Sequence, residues 1–205
     1  MKLLAISSPE FFPEEADIIN SLFREGLECL HIRKPESRAD DFAQLLSGIQ
    51  PDFIGKVSIH QHHELASQFG IKRLHFTENE RRKTAQQELN KSIADGYILS
   101  TSMHDLDEME TTSMSFSYAF FGPVFDSISK VGYKSSLPDN FFLEDKFKKI
   151  PVIGLGGIDA SNLQDVRKMN FDGAAVLGVL WKDLSKSLEV FRLLVDSVNP
   201  EAIEL

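Results

Sequence analysis

Cysteine is almost absent: Cys29 is the only one in 205 residues, which excludes an intramolecular disulfide and any cysteine-built zinc site. A single thiol also fits a reducing compartment. Long hydrophobic runs are missing too. No apolar stretch approaches the roughly 20 residues that a membrane span requires, so no membrane partner is expected. The opening segment, Met1-Lys2-Leu3-Leu4-Ala5-Ile6-Ser7-Ser8-Pro9, has too short an apolar part for a secretion signal. Basic side chains are the minority, 22 against 31 acidic for a formal charge of −9, which argues against nucleic acid as a partner. An anionic small molecule stays open, provided that positive potential is local. No Pro/Gly/Ser-rich linker divides the chain. The expectation is a cytoplasmic protein with one domain over residues 1–205, long enough to bury a sizeable core.

What is present is alternation. Short apolar or β-branched runs recur at residues 2–7, 28–33, 56–60, 73–77, 97–102, 117–121, 152–155 and 173–177. Several are nearly continuous apolar segments, as suits parallel strands covered on both faces. Helical periods lie between them. Residues 14–25 place Ile18, Ile19, Leu22 and Phe23 on one face before Gly26, and residues 37–49 repeat the device with Phe42, Leu45, Leu46 and Ile49. Residues 159–169 and 184–198 complete the helical set. Eight strands alternating with helices predict an α/β fold of the (β/α)8 TIM-barrel type; a doubly wound open sheet is the alternative. The segment Gly154-Leu-Gly156-Gly157-Ile-Asp159 lacks the third glycine of a dinucleotide fingerprint, which weakens that alternative.

In such a barrel, chemistry belongs at the carboxyl ends of the strands. Polar and glycine residues collect there: His31, Arg33 and Lys34; His60, Gln61, His62 and His63; Glu78 and Glu80; Ser102 and His104; Gly156 and Gly157; Gly178. Phosphate sites in barrels often use the loops after strands seven and eight, where main-chain N–H groups meet the anion. Gly156, Gly157 and Gly178 are therefore candidates to bind a phosphate, and a tight turn is the plain alternative for the paired glycines. His60, His62 and His63 look like a metal cluster, but adjacent residues diverge in direction. They read as solvated or structural histidines.

The segments Leu30-His-Ile-Arg-Lys34, Ser58-Ile-His-Gln-His-His-Glu-Leu-Ala66, Leu99-Ser-Thr-Ser-Met-His104, Phe121-Gly-Pro-Val-Phe-Asp-Ser-Ile-Ser-Lys130, Pro151-Val-Ile-Gly-Leu-Gly-Gly-Ile158 and Asp172-Gly-Ala-Ala-Val-Leu-Gly178 resemble, in order, the motifs of the thiamine phosphate synthase/TenI family. The resemblance runs from strand two to strand eight and implies a (β/α)8 barrel. It also implies one of two activities. Synthases couple a hydroxymethylpyrimidine diphosphate to a thiazole phosphate with magnesium, releasing pyrophosphate; TenI-type members aromatise a thiazole phosphate carboxylate by moving a proton and need no cofactor.

Departures from the synthase pattern favour the second activity. The family's Gln-x-Arg-x-Lys reads His31-Ile32-Arg33-Lys34-Pro35, so the arginine is kept, the glutamine is replaced, and the lysine position holds Pro35. Lys34 is one residue off register and should point elsewhere. The Asn-Asp pair after strand three has become His60-Gln61, and an amide is a poor substitute for a carboxylate ligand of Mg2+. Glu80 stands where the second acidic ligand is expected and is the candidate metal residue. His104 matches the TenI-type histidine, so the resemblance implies a proton-transferring role for it, with Ser102 orienting it or the substrate. Arg33 and His31 are the candidate substrate contacts, Arg33 for the carboxylate. Ser127, Ser129 and Lys130 match the family's pyrophosphate-gripping loop. The expected function is a TenI-like thiazole tautomerase acting on a small phosphorylated thiazole. The alternatives are a synthase using Mg2+ through Glu80 and Glu78, a non-catalytic binder of thiamine intermediates, and another phosphate-sugar isomerase or epimerase barrel. Relatives of the TenI type suggest a homo-oligomer.

Overall fold

The computed structural model describes residues 1–111, 115–126, 135, 137–138 and 140–198. Eight parallel strands close into a barrel in sequence order: β1 (Lys2–Ile6), β2 (Leu30–Ile32), β3 (Val57–Ile59), β4 (Arg73–Phe76), β5 (Ile98–Met103), β6 (Tyr118–Phe121), β7 (Val152–Leu155) and β8 (Gly173–Val176). Closure is made by β8 against β1, with Lys2 opposite Gly173 and Ala5 opposite Val176. Seven strands lie inside the expected runs and β5 extends one residue past its own, to Met103; the outward face of each is largely apolar because it packs against the helices.

The surrounding helices are α1 (Glu15–Arg24), α2 (Ala39–Ser47), α3 (Ala66–Phe69), α4 (Glu78–Lys83), α5 (Gln86–Ala94), α6 (Leu106–Thr111), α7 (Leu163–Lys168), α8 (Gly178–Trp181) and α9 (Ser187–Val198). The periods at 14–25 and 37–49 become α1 and α2, whose apolar faces are buried through Ile19, Leu22, Phe23, Phe42, Leu45 and Leu46. Helices do not follow the strands strictly one to one: α4 and α5 both follow β4, and α8 and α9 both follow β8. Among the described residues, the connection from β6 to β7 holds only a single 3-10 turn, Asp145–Phe147.

Strand alternation divides the interior into two shells. Leu3, Leu30, Ile32, Val57, Ile59 and their counterparts face outward against the helices. The inward shell is itself divided. From β6, β7, β8 and β1 it is apolar, with Phe120, Ile153, Ala175, Leu4 and Ile6 packed together. From β2 to β5 it holds His31, Ser58, His60, His75 and Ser100, all buried. Phe120 and Phe121 point to opposite shells, as their alternation requires.

Candidate functional site

His104 follows β5 and donates its Nδ1–H to the carbonyl oxygen of Gly122 at 2.6 Å. A carbonyl only accepts, so this bond places a proton on Nδ1 and leaves Nε2 as the outward nitrogen. The ring is half exposed, and Nε2 lies 3.9 Å from a carboxylate oxygen of Glu78 at the start of α4. Glu78 is held in turn by Arg82, which also pairs with Glu108 on α6, while Arg81 reaches Glu108 at 2.6 Å. The two guanidinium groups hold the Glu108 carboxyl below its ordinary range, the Arg82 bond contributing most. The arrangement is an imidazole with one nitrogen anchored to the main chain, and the other open to a ligand beside an anion.

Gly122 also links this ring to the end of β7. The segment after β6 runs beside it, with Val124 N–H donating to Leu155 O at 2.9 Å and Phe125 N–H to Gly156 O at 3.0 Å. Gly156 and Gly157 have φ of +104° and +64°. A side chain at Gly157 would meet the carbonyl oxygen of Asp126 at 2.3 Å, so only glycine allows this approach. The plain alternative, a tight turn, is thus part of the answer. The carbonyls of both glycines are engaged, Gly156 by Phe125 and Gly157 by the Asn162 amide at 2.8 Å. No acceptor among the described residues takes the N–H of Gly156 or Gly157. Gly178 opens α8 on the neighbouring strand end, where first-turn N–H groups have no intrahelical partner. Main-chain donors therefore collect at the ends of β7 and β8.

Arg33 sits at the end of β2, its backbone N–H fixed by the Ser7 hydroxyl at 3.0 Å. Among the described residues no carboxylate pairs with its guanidinium. Burial, and then the neighbouring histidines, hold His60 and His75 down, and the Arg33 charge adds a smaller push in the same direction.

Three expected site residues stand elsewhere than the sequence suggested. His31 does not reach the mouth. It is 0% exposed inside the barrel, with Nδ1 against His60 Nε2 at 2.9 Å and Nε2 against the Tyr118 hydroxyl at 2.6 Å. Burial pushes its pKa down to about 3. Ser102 faces inward too; its hydroxyl meets Nε2 of His75 at 2.9 Å, not His104. Glu80 is a capping residue: one carboxylate oxygen accepts from Thr77 N–H at 2.8 Å and from the Thr77 hydroxyl at 2.7 Å, while Glu80 N–H returns to that hydroxyl. This capping box secures the start of α4. Ser127, Ser129 and Lys130 lie outside the described residues.

Lys34 is off register as expected and leaves the barrel entirely. It is buried against α1, with Nζ on both oxygens of Glu15 at 2.6 and 2.7 Å and on the Glu10 carbonyl at 2.8 Å. Desolvation dominates both partners, lowering the lysine and raising the glutamate from their ordinary values. The histidine run 60–63 also separates: His62 bonds Ser37 and His63 bonds the carbonyls of Ile59 and His75, while His60 alone turns inward. The sequence reading missed His75, which stacks on His60 with ring centroids 3.9 Å apart. Its signal was present, because Leu74 and Phe76 face outward and place His75 inward.

The residues present do not fit a magnesium site of the synthase kind. Mg2+ takes hard, mostly anionic oxygens. One carboxylate position holds Gln61, whose amide oxygen is bound by Lys34 N–H at 2.9 Å. The other holds Glu80, committed to its cap.

Residues 3–180 match the family model described as thiamine monophosphate synthase (TMP-TENI). A thiamine-phosphate synthase of Pyrococcus furiosus is 30% identical over 114 residues, 54% of this chain; the match spans only about half of that relative, 55%. One from Listeria monocytogenes is 23% identical over 199 residues, covering 89% of this chain and 87% of its own. Among solved structures, a thiamine phosphate pyrophosphorylase of Bacteroides thetaiotaomicron superposes with a TM-score of 0.73 at 26% identity, over 98% of this chain and 99% of its own. With its closed barrel and its matched motifs, the chain belongs to the thiamine monophosphate synthase (TMP-TENI) family.

Proposed function

We propose that this chain acts on a phosphorylated thiazole in thiamine biosynthesis as a TenI-like thiazole tautomerase. The observation that carries the reading is the anchored imidazole: His104 gives Nδ1–H to Gly122 and keeps Nε2 open beside Glu78. A neutral imidazole in that state takes a proton from one carbon of the heterocycle and returns it to another. The conversion is an isomerisation and needs no oxidant. Glu78 stabilises the imidazolium formed between the two transfers. The N–H groups of Gly156, Gly157 and Gly178 hold the phosphate, and Arg33, which has no carboxylate partner among the described residues, receives the carboxylate.

A second reading is thiamine phosphate synthase, joining a hydroxymethylpyrimidine diphosphate to thiazole phosphate with Mg2+. It is favoured by the names of the relatives in P. furiosus and L. monocytogenes, and opposed by Gln61 and Glu80. The two readings separate in one pair of assays. The protein is incubated with both synthase substrates and magnesium, and separately with the non-aromatic thiazole phosphate carboxylate. Conversion in the second mixture with no thiamine phosphate in the first supports the tautomerase; thiamine phosphate at a useful rate in the first makes the synthase reading correct. Ligand binding with neither conversion makes the chain a non-catalytic binder.

A further inference from the structure

A TIM-barrel interior is ordinarily filled by branched apolar side chains. Here three histidines from adjacent strands, His31 on β2, His60 just past β3 and His75 on β4, meet inside it, all within the 3% exposure of a sealed core. One ring nitrogen from each lies within 4.8 Å of one from each of the others. Two polar atoms in this half of the barrel have no partner among the described residues, His60 Nδ1 and Ser58 Oγ. Ser58 lies directly opposite His31 in the β2–β3 register. Buried polar atoms are costly to leave unpaired, so hydrogen bonding within the cluster does not account for it fully.

We propose that His31, His60 and His75 form a transition-metal site of the Zn2+ class inside the barrel, separate from the His104 site. The outer partners of His31 and His75 suit ligand histidines, which donate the nitrogen not on the metal to a fixed oxygen; His60, with Nε2 toward the ion, keeps Nδ1 without a partner among the described residues. His31 Nε2 meets the Tyr118 hydroxyl at 2.6 Å, and His75 has Ser100 Oγ on Nδ1 and Ser102 Oγ on Nε2, each at 2.9 Å. One of the three nitrogen–nitrogen distances is near that required. Two nitrogens on a tetrahedral zinc at roughly 2.0–2.1 Å stand about 3.3 Å apart, whereas His31 Nδ1 and His60 Nε2 are 2.9 Å apart. They need to open by only a few tenths of an ångström, and the His75 ring turns to bring in the third, exchanging one of its two serine bonds for the ion. A water or hydroxide in the fourth position gives the Ser58 hydroxyl the partner it lacks. Three neutral imidazoles suit zinc, cobalt or nickel and not magnesium, which prefers oxygen.

The test uses the full chain, purified without a histidine tag, stripped with a chelator and titrated with Co2+ and then Zn2+. One equivalent of cobalt should bind and develop the ligand-field bands of a four-coordinate nitrogen site, and zinc should displace it. His31→Gln should weaken binding by more than about 100-fold, while His62→Ala, outside the interior, leaves it unchanged. Absence of a stoichiometric ion, or equal binding by His31→Gln, overturns the proposal. Because His31→Gln removes a core side chain, wild-type crystals soaked in Zn2+ provide a second measurement. An anomalous peak between the three rings supports the site; a peak elsewhere alone, or none, overturns it.

Discussion

His104 and Gly122 are joined by a hydrogen bond of 2.6 Å from the imidazole Nδ1–H to the main-chain carbonyl. The bond connects the end of β5 to the loop after β6, and that same loop is bonded through Phe125 to Gly156 at the end of β7. A side chain and a glycine turn that are far apart in sequence are thereby held in one frame. Orientation of this kind is what proton transfer to carbon requires.

The glycine turn should be intolerant of any side chain. Gly157→Ala must hold φ near +64° and push a Cβ against the Asp126 carbonyl at 2.3 Å and Phe125 Cβ at 2.7 Å. A loss of about 1–3 kcal/mol in urea unfolding is expected, together with weaker binding of a phosphorylated thiazole. Gly96→Ala is the control. It has φ of +83° but open space around the added carbon, so it should cost about 1–2 kcal/mol from backbone strain and leave ligand affinity alone.

The buried pair of Lys34 and Glu15 predicts an asymmetric mutant series. Their side chains are 0% and 2% exposed, so Glu15→Ala strands an ammonium group in the core. A loss of about 3–5 kcal/mol is expected in thermal or urea unfolding. The double variant Glu15→Leu, Lys34→Met removes both charges and should recover most of it. Equal losses in the single and double variants would show that packing, not the uncompensated charge, sets the cost.

Acid should destabilise the fold through the interior histidines. Burial, the first cause for each of the three, disfavours their protonated forms and lowers their pKa values. The unfolded chain takes up those protons near 6.5, the folded chain only at much lower pH, about 3 for His31. Below 6.5 the unfolded state therefore binds more protons, and stability falls as pH drops through that window. Each histidine contributes a slope of at most about 1.4 kcal/mol per pH unit. Urea unfolding between pH 7 and 4, in the presence of a chelator, checks this, and Ser100→Ala should leave the slope in place. A flat profile over that range would contradict it.

The barrel was legible because its strands are short with a largely apolar outward face, and the intervening helices α1 and α2 carry clear 3.6-residue periods. The second helix after β4 was not, since residues 78–94 carry little apolar periodicity: Leu89 is the one buried residue of α5 and α4 has none. The placement of His104 and the glycine pair at strand ends was legible because it is a property of sequence order. His31 and Ser102 were misread for the same reason: strand-end order says nothing about which shell a residue faces, and alternation sends both inward with His75. Glu80 was misread although the signal was local, because Thr77-Glu78-Asn79-Glu80 has the spacing of a capping box. Lys34 was read correctly as off register, but its buried partner Glu15 lies 19 residues away, and no local pattern links them.

The account depends most on His104 moving a proton on a bound thiazole phosphate. Turnover of the non-aromatic thiazole phosphate carboxylate in D2O, followed by NMR for wild type and His104→Ala, tests it most directly. The account predicts deuterium in the wild-type product at the newly protonated carbon, and a rate about 10²–10⁴-fold lower for His104→Ala with ligand affinity retained. Undiminished turnover by His104→Ala would contradict it.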